Sequence, residues 1–214
     1  MEEADPKTIH EWLMRAAAGD AECWRCLLEP YHARLRRMVA GRMDPRLQRR
    51  VDPSDVLQNG YVEAIRQLKK YLDDETLPFF LWLRGLVGSQ LARTHRQHLG
   101  TQQRDAGREV LLDQLAPDMS SAVLAQCLLG RGERPSEEAV RAELRERLQI
   151  LLERLSAADR EVLALRHFEQ LNTAETAAVL GISTSAAGKR YIRALDRLRE
   201  QLADYPEILE AWRP

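Results

Sequence analysis

The sequence predicts an all-α protein built as two helical domains. Two observations carry that prediction. Apolar residues recur every three or four positions along most of the chain, and no alternating run bounded by turn residues marks a strand. A stretch from Leu99 to Glu138 holding Gly100, Gly107, Pro117, Gly130, Gly132 and Pro135 then interrupts the helical pattern. The expected division is a first domain over 7–98, a linker over 99–138 and a second domain over 139–204.

Taken in order, a helix is expected to begin near Asp20 and to bury Cys23 and Cys26. Asp52-Pro53-Ser54-Asp55 reads as an N-cap, a proline at the first helical position and a carboxylate in the first turn. Leu57, Tyr61, Ile65, Leu68 and Leu72 then mark an apolar stripe, as do Leu83, Val87 and Leu91 on the next helix. Within the linker only Ala122 to Leu129 looks helical, and Cys127 is expected to pack there. Leu144, Leu148, Leu151 and Leu155 open the second domain. Ser156-Ala157-Ala158-Asp159 resembles a capping box with a shortened acid, and Asn172-Thr173-Ala174-Glu175 has an amide N-cap with Glu three residues on. Tyr191, Leu195, Leu198 and Leu202 mark the last stripe.

Lys and Arg number 32 against 33 Asp and Glu, which excludes a uniformly basic coat but not local patches. Residues 31–50 hold seven arginines and one acid, Asp44. Residues 84–108 hold five arginines and Asp105, and residues 184–200 hold five basic and two acidic side chains. Three basic islands in a near-neutral chain point to a polyanion partner. No apolar run approaches the ~20 residues that span a bilayer. The N-terminal MEEADPKTIHEW lacks the apolar core of a secretory signal. A cytoplasmic location without membrane insertion is expected. Three cysteines do not make a disulfide framework.

The segment NTAETAAVLGISTSAAGKRYIRALDRL, from Asn172, has helix-turn-helix spacing. A short helix runs to about Leu180. Gly181 stands where a tight turn needs positive φ, and Ser183 or Thr184 caps a longer basic helix. Ala177 is small, as close helix crossing requires. Ser185, Ala186, Lys189 and Arg190 fall on the face opposite Tyr191 and Leu195. Arg190 is expected to read bases; Arg193 and Arg197, further along, suit phosphates.

DPSDVLQNGYVEAIRQL followed by FFLWLRGLVGSQLARTHRQH resembles conserved region 2 of bacterial sigma factors, and LERLSAADREVLALRHFEQLNTAETAAVLGISTSAAGKRYIRALDRLR resembles region 4. Two such blocks joined by a linker resemble the extracytoplasmic-function (ECF) sigma factors, over about three quarters of the chain. The resemblance implies a transcription initiation factor that binds RNA polymerase core at the clamp helices and flap. It implies promoter DNA as the second partner and an anti-sigma factor as a candidate third. Asp52, Asp55 and Gln58 match the family's D-x-x-D-x-x-Q clamp-docking helix. Their spacing of three puts them on roughly one face, and Asp52 is also a cap. Trp82 and Leu83 match the family's Trp-Leu pair, with Trp82 read as core. Arg84, Ser89, Arg93, His95 and Arg96 are implied for the -10 element; Thr184, Ser185, Ala186, Lys189, Arg190 and Arg193 for the -35 element. The sequence departs from the family with Ser89 for Asn, Arg93 for Asp and Ala187-Gly188 for Val-Lys. A glycine inside a helix costs ~1 kcal/mol relative to Ala, which suggests close backbone approach or a flexible turn at Gly188.

The rival reading is a helix-turn-helix regulator with a helical sensor domain that never binds polymerase. The Asp52-Asp55-Gln58 helix and the basic Trp82 helix argue against it, since a sensor needs neither. Cys23-Trp24-Arg25-Cys26 is a CxxC without further nearby ligands and reads as packing rather than metal or redox chemistry. His167 reads as structural. No Ser-His-Asp set, P-loop or GxGxxG is present, so no active site, metal or cofactor is expected.

Overall fold

The computed structural model describes residues 5–74, 76–99, 116–130 and 135–212. These form α-helices with no strand among the described residues. The chain divides into two compact units, Met1–Pro117 and Asp118–Pro214.

The first unit holds α1 (Pro6–Ala17), α2 (Ala21–Arg42), α3 (Pro53–Asp73) and α4 (Phe79–Leu99). Asp20 caps α2, accepting from the Glu22 and Cys23 amides. Asp52 caps α3 by accepting from the Ser54 amide at 2.7 Å. Leu13, Leu27, Leu35, Leu57, Leu68, Leu83, Val87 and Leu91 fill the core. The α3 stripe is Val56, Leu57, Gly60, Ala64, Leu68 and Tyr71. Ile65, expected inside, is 53% exposed. The i, i+4, i+4 series drifts about 40° per turn, so by Ile65 it has left the face that Leu57 occupies, and Ala64 takes the core position. Gly60 is required: a Cβ there would stand 2.6 Å from Val87 Cγ2 and 3.2 Å from Val87 Cα. At the turn between α3 and α4 the Tyr71 hydroxyl donates to the Leu77 carbonyl at 2.9 Å. Trp82, half-buried, stacks on Tyr71 at 4.4 Å between centroids.

The second unit holds α5 (Ser121–Leu129), α6 (Pro135–Arg154), α7 (Ala157–Leu163), a π-helical turn (Ala164–Phe168), α8 (Thr173–Leu180), α9 (Thr184–Leu202) and α10 (Pro206–Ala211). Leu124, Leu128, Leu129, Leu144, Leu148, Leu151 and Leu155 share one core with Ala194, Leu198, Leu202, Ile208 and Trp212. The expected linker over 99–138 therefore divides: its short helix α5 is part of the second unit's core, and that unit begins at Asp118 rather than near 139. Residues 100–115 and 131–134 of that stretch lie outside the described residues. Of the cysteines, Cys23 is buried, Cys26 half-buried and Cys127 exposed, so Cys127 does not pack inside as expected.

Candidate functional site

On α3, Asp52 spends one carboxylate oxygen on its own helix end, and that bond to Ser54 holds its carboxyl below the usual range. Asp55 and Gln58 are exposed. The same face continues into Val62, 46% exposed, and Ile65. At 100° per residue, Asp55, Gln58, Val62 and Ile65 lie within an arc of about 80°. The result is a polar head followed by two uncovered β-branched side chains. The sequence pattern hid the last two, because Ile65 also fits an inward stripe; only the position of Ala64 and Gly60 against α4 turns it out.

Helix α4 does not present its expected residues on one face. Arg93 and Arg96 are exposed and about 60° apart, and Ser89 lies beside them, its hydroxyl donating to the Gly85 carbonyl at 3.0 Å. Arg84 sits nine residues before Arg93, two and a half turns away and so on the opposite side, where it is buried at 5%. His95 also points away from Arg93: its Nε2 accepts from the Asp44 amide at 3.3 Å, and burial lowers its pKa below the ordinary value. Arg84 and His95 thus build the unit, and Ser89, Arg93 and Arg96 form its outer surface.

The helix-turn-helix is assembled from local signals. The Asn172 side chain accepts from the Glu175 amide at 2.9 Å while the Glu175 carboxylate accepts from the Asn172 amide at 2.7 Å, a reciprocal capping box. Gly181 ends α8 at φ 63, ψ 34, a left-handed conformation that glycine adopts without steric cost. Ser183 rather than Thr184 caps α9, accepting from the Ala186 amide at 3.2 Å. Ala177 and Ala187, both buried, are the small residues of the motif. At Gly188 a Cβ would meet nothing nearer than Thr173 Cγ2 at 3.8 Å, so close approach does not explain that glycine. Thr184, Ser185, Lys189 and Arg193 are exposed; Ala186 and Arg190 are half-buried. The Arg193 Nε donates to the Lys189 carbonyl at 3.3 Å.

Two α9 side chains serve the unit itself. Arg197, expected at a phosphate, binds Asp159 Oδ2 at 2.5 Å, and the Ser156 hydroxyl donates to the same oxygen at 2.8 Å. Asp159 is buried at 4%. The shortened acid of the Ser156 box thus reaches α9 instead of its own N-cap amide. The Tyr191 hydroxyl meets His167 Nε2 at 3.1 Å, and burial lowers the His167 pKa. No helix among the described residues is long and apolar enough to cross a membrane.

The family described as Sigma-70, region 4 matches residues 151–200, which run from the last turn of α6 to near the end of α9. The ECF RNA polymerase sigma factor SigD of Mycobacterium tuberculosis is 30% identical over 188 residues, 87% of this chain and 80% of that one. The RNA polymerase sigma-E factor of Streptomyces avermitilis is 47% identical over 55 residues, 26% of this chain and 31% of that one. CnrH, solved in complex with the cytosolic domain of CnrY, matches with a TM-score of 0.55 and 21% identity over 92% of this chain and 99% of that one, a likeness of fold. An all-helical chain whose second unit carries a sigma region 4 helix-turn-helix is a transcription initiation sigma factor. The chain belongs to the ECF sigma factor family.

Proposed function

We propose that this chain binds RNA polymerase core and directs it to promoters carrying specific -10 and -35 elements. The observation that carries the proposal is the uncovered α3 face, on which Asp55 and Gln58 lead into Val62 and Ile65. A regulator that only binds DNA has no use for such a surface, and the relatives' names attach them to RNA polymerase. In this reading that face docks on the clamp helices, with Asp52 setting the start of α3, and the second unit meets the flap. Ser89, Arg93 and Arg96 follow the -10 element. Thr184, Ser185, Ala186, Lys189 and Arg190 lie in the major groove at the -35 element, with Arg190 reading bases and Arg193 on a phosphate. The protein acts in the cytoplasm, without catalysis or cofactor. A regulatory partner in the role of an anti-sigma factor belongs to the reading, because CnrH was solved with the cytosolic domain of CnrY.

In vitro transcription from genomic promoter fragments, with core polymerase and with or without the chain, tests this directly. Specific transcripts are expected only with the chain. The Asp55→Ala/Gln58→Ala pair is expected to lose core affinity while keeping its helicity. Full co-purification of that pair with core would remove the docking assignment, and no chain-dependent transcript would remove the function.

A further inference from the structure

We propose that a pocket between the α2–α3 connection and the end of α4 binds the phosphodiester backbone of promoter DNA, an inference that rests on the function proposed above. The cavity has a volume of about 510 Å³ and is lined by Pro45, Arg46, Leu47, Arg49, Arg50 and His98. Among the described residues no carboxylate lines it. Asp44, the acid nearest in sequence, is already committed: its Oδ2 lies 2.8 Å from Arg46 Nη2, and Arg46 holds its pKa at about 2. Arg49 and Arg50 are exposed and have no carboxylate partner among the described residues.

The arginines stand on a stiff base. Leu47 is 1% exposed and anchors the connection in the core. Its amide donates to the Asp44 carbonyl at 2.8 Å, and the Arg50 and Val51 amides donate back to the Leu47 carbonyl at 2.8 and 2.9 Å. The Gln48 side chain donates to the Ala40 and Met43 carbonyls. The His95 bond to Asp44 ties the same connection to α4. Three arginines thus stand on one short, well-anchored stretch of backbone, with Asp44 the acid beside them. Like charges so placed repel one another in the free protein, which a bound anion relieves.

The chemistry of the lining selects the anion. Arginine forks match phosphate oxygens in two-point contacts. Among the described residues the lining offers no carboxylate or amide to pair with a base edge and no tyrosine, tryptophan or phenylalanine on which a base would stack; arginine can also pair with guanine, and equal losses across promoters that differ by single base pairs distinguish a backbone contact from that. Its place fits a nucleic acid already bound along α4. His98 lies five residues past Arg93, about 8 Å along the helix axis, or roughly two nucleotide steps.

The test uses holoenzyme reconstituted from core polymerase and the full chain. Wild type is compared with Arg49→Ala/Arg50→Ala and with Arg49→Lys/Arg50→Lys. Core affinity is measured first, then promoter affinity between about 50 and 200 mM salt. The alanine pair is expected to bind core as wild type does, and to bind promoter roughly tenfold to a hundredfold more weakly at the lower salt. The slope of log affinity against log salt should flatten by about two. The loss should be equal across promoters differing by single base pairs, and the lysine pair should retain the wild-type slope. An unchanged slope in the alanine pair overturns the pocket, as does a loss confined to particular base pairs. A loss of core affinity instead assigns the arginines to polymerase and overturns it too. If wild type itself fails to place core on a promoter, the function proposed above falls and takes the pocket with it.

Discussion

Helices α4 and α9 both carry proposed DNA-facing residues, yet they are held by different means. The seat of α9 is built largely from neighbours in sequence: the Asn172–Glu175 box, the left-handed Gly181 and the Ser183 cap occur within a dozen residues. The seat of α4 is built from distant ones. Gly60 admits Val87, Tyr71 stacks on Trp82, and His95 reaches the Asp44 amide. A surface positioned by caps can be recognised from a string of residues, whereas one positioned by side chains across a core cannot. The same contrast separates the two basic islands that seed these surfaces. On α4, helical rotation sorts Arg84 and His95 inward from Arg93 and Arg96, and on α9 Arg197 is diverted to Asp159, on another helix.

The largest effect is expected at Gly60. Gly60→Val places branched atoms where a single Cβ already lies 2.6 Å from Val87. It should destabilise the first unit by about 3 kcal/mol, the upper end of overpacking costs. Hydrogen exchange resolved by residue is the measurement, because it reports each unit separately. Protection in α3 and α4 should fall while α8 and α9 keep theirs; equal loss in both units would show that they do not respond independently.

Next is Asp159, the one buried acid by which α7 holds α9. Asp159→Ala leaves the Ser156 hydroxyl and the Arg197 guanidinium without their shared acceptor. A loss of about 2 kcal/mol is expected for the second unit, the scale of hydrogen bonds to a charged group, read from the urea midpoint of the variant. If Arg197→Ala alone costs as much, the ion pair accounts for the whole effect and the Ser156 bond contributes nothing.

Gly188→Ala should have the opposite sign from Gly60. The nearest atom to the added Cβ is 3.8 Å away, and replacing glycine within a helix favours folding by roughly 0.5–1 kcal/mol. Thermal unfolding checks it: a midpoint below wild type would mean that α9 needs the glycine for something the free protein does not reveal.

The smallest effect expected is that of acid. His95 is held below its ordinary pKa by burial. Its contribution is present above about 6.5 and is lost as pH falls through the lowered value. Asp44, held at about 2 by its bonds to Arg46, contributes above its ordinary range near 4, and that contribution goes as pH falls towards 2. The first unit should therefore weaken in two acid steps, the first removed by His95→Asn. Stability against pH for the two proteins is the check, and coincident curves between pH 7 and 5 would exclude His95 as a contributor.

The chain order of residues was enough to determine most of the helices, the caps at Asp20, Asp52 and Asn172 and the left-handed turn at Gly181. Each of these depends on side chains reaching their own backbone within about four positions, a geometry that the covalent chain itself imposes. Tertiary structure decided where the inward stripes end and which polar side chains turn in. Ala64 rather than Ile65 lies inward because Gly60 lets α4 approach, and Asp159 finds Arg197 thirty-eight residues on. It also decided that α5 joins the second unit's core, since a nine-residue apolar helix between glycines is stable only once something buries it. Arg49, Arg50 and His98 meet at one pocket only because Leu47 and His95 fold the α2–α3 connection onto the end of α4. Contacts between residues that distant depend on the packing of whole helices, which no local spacing encodes.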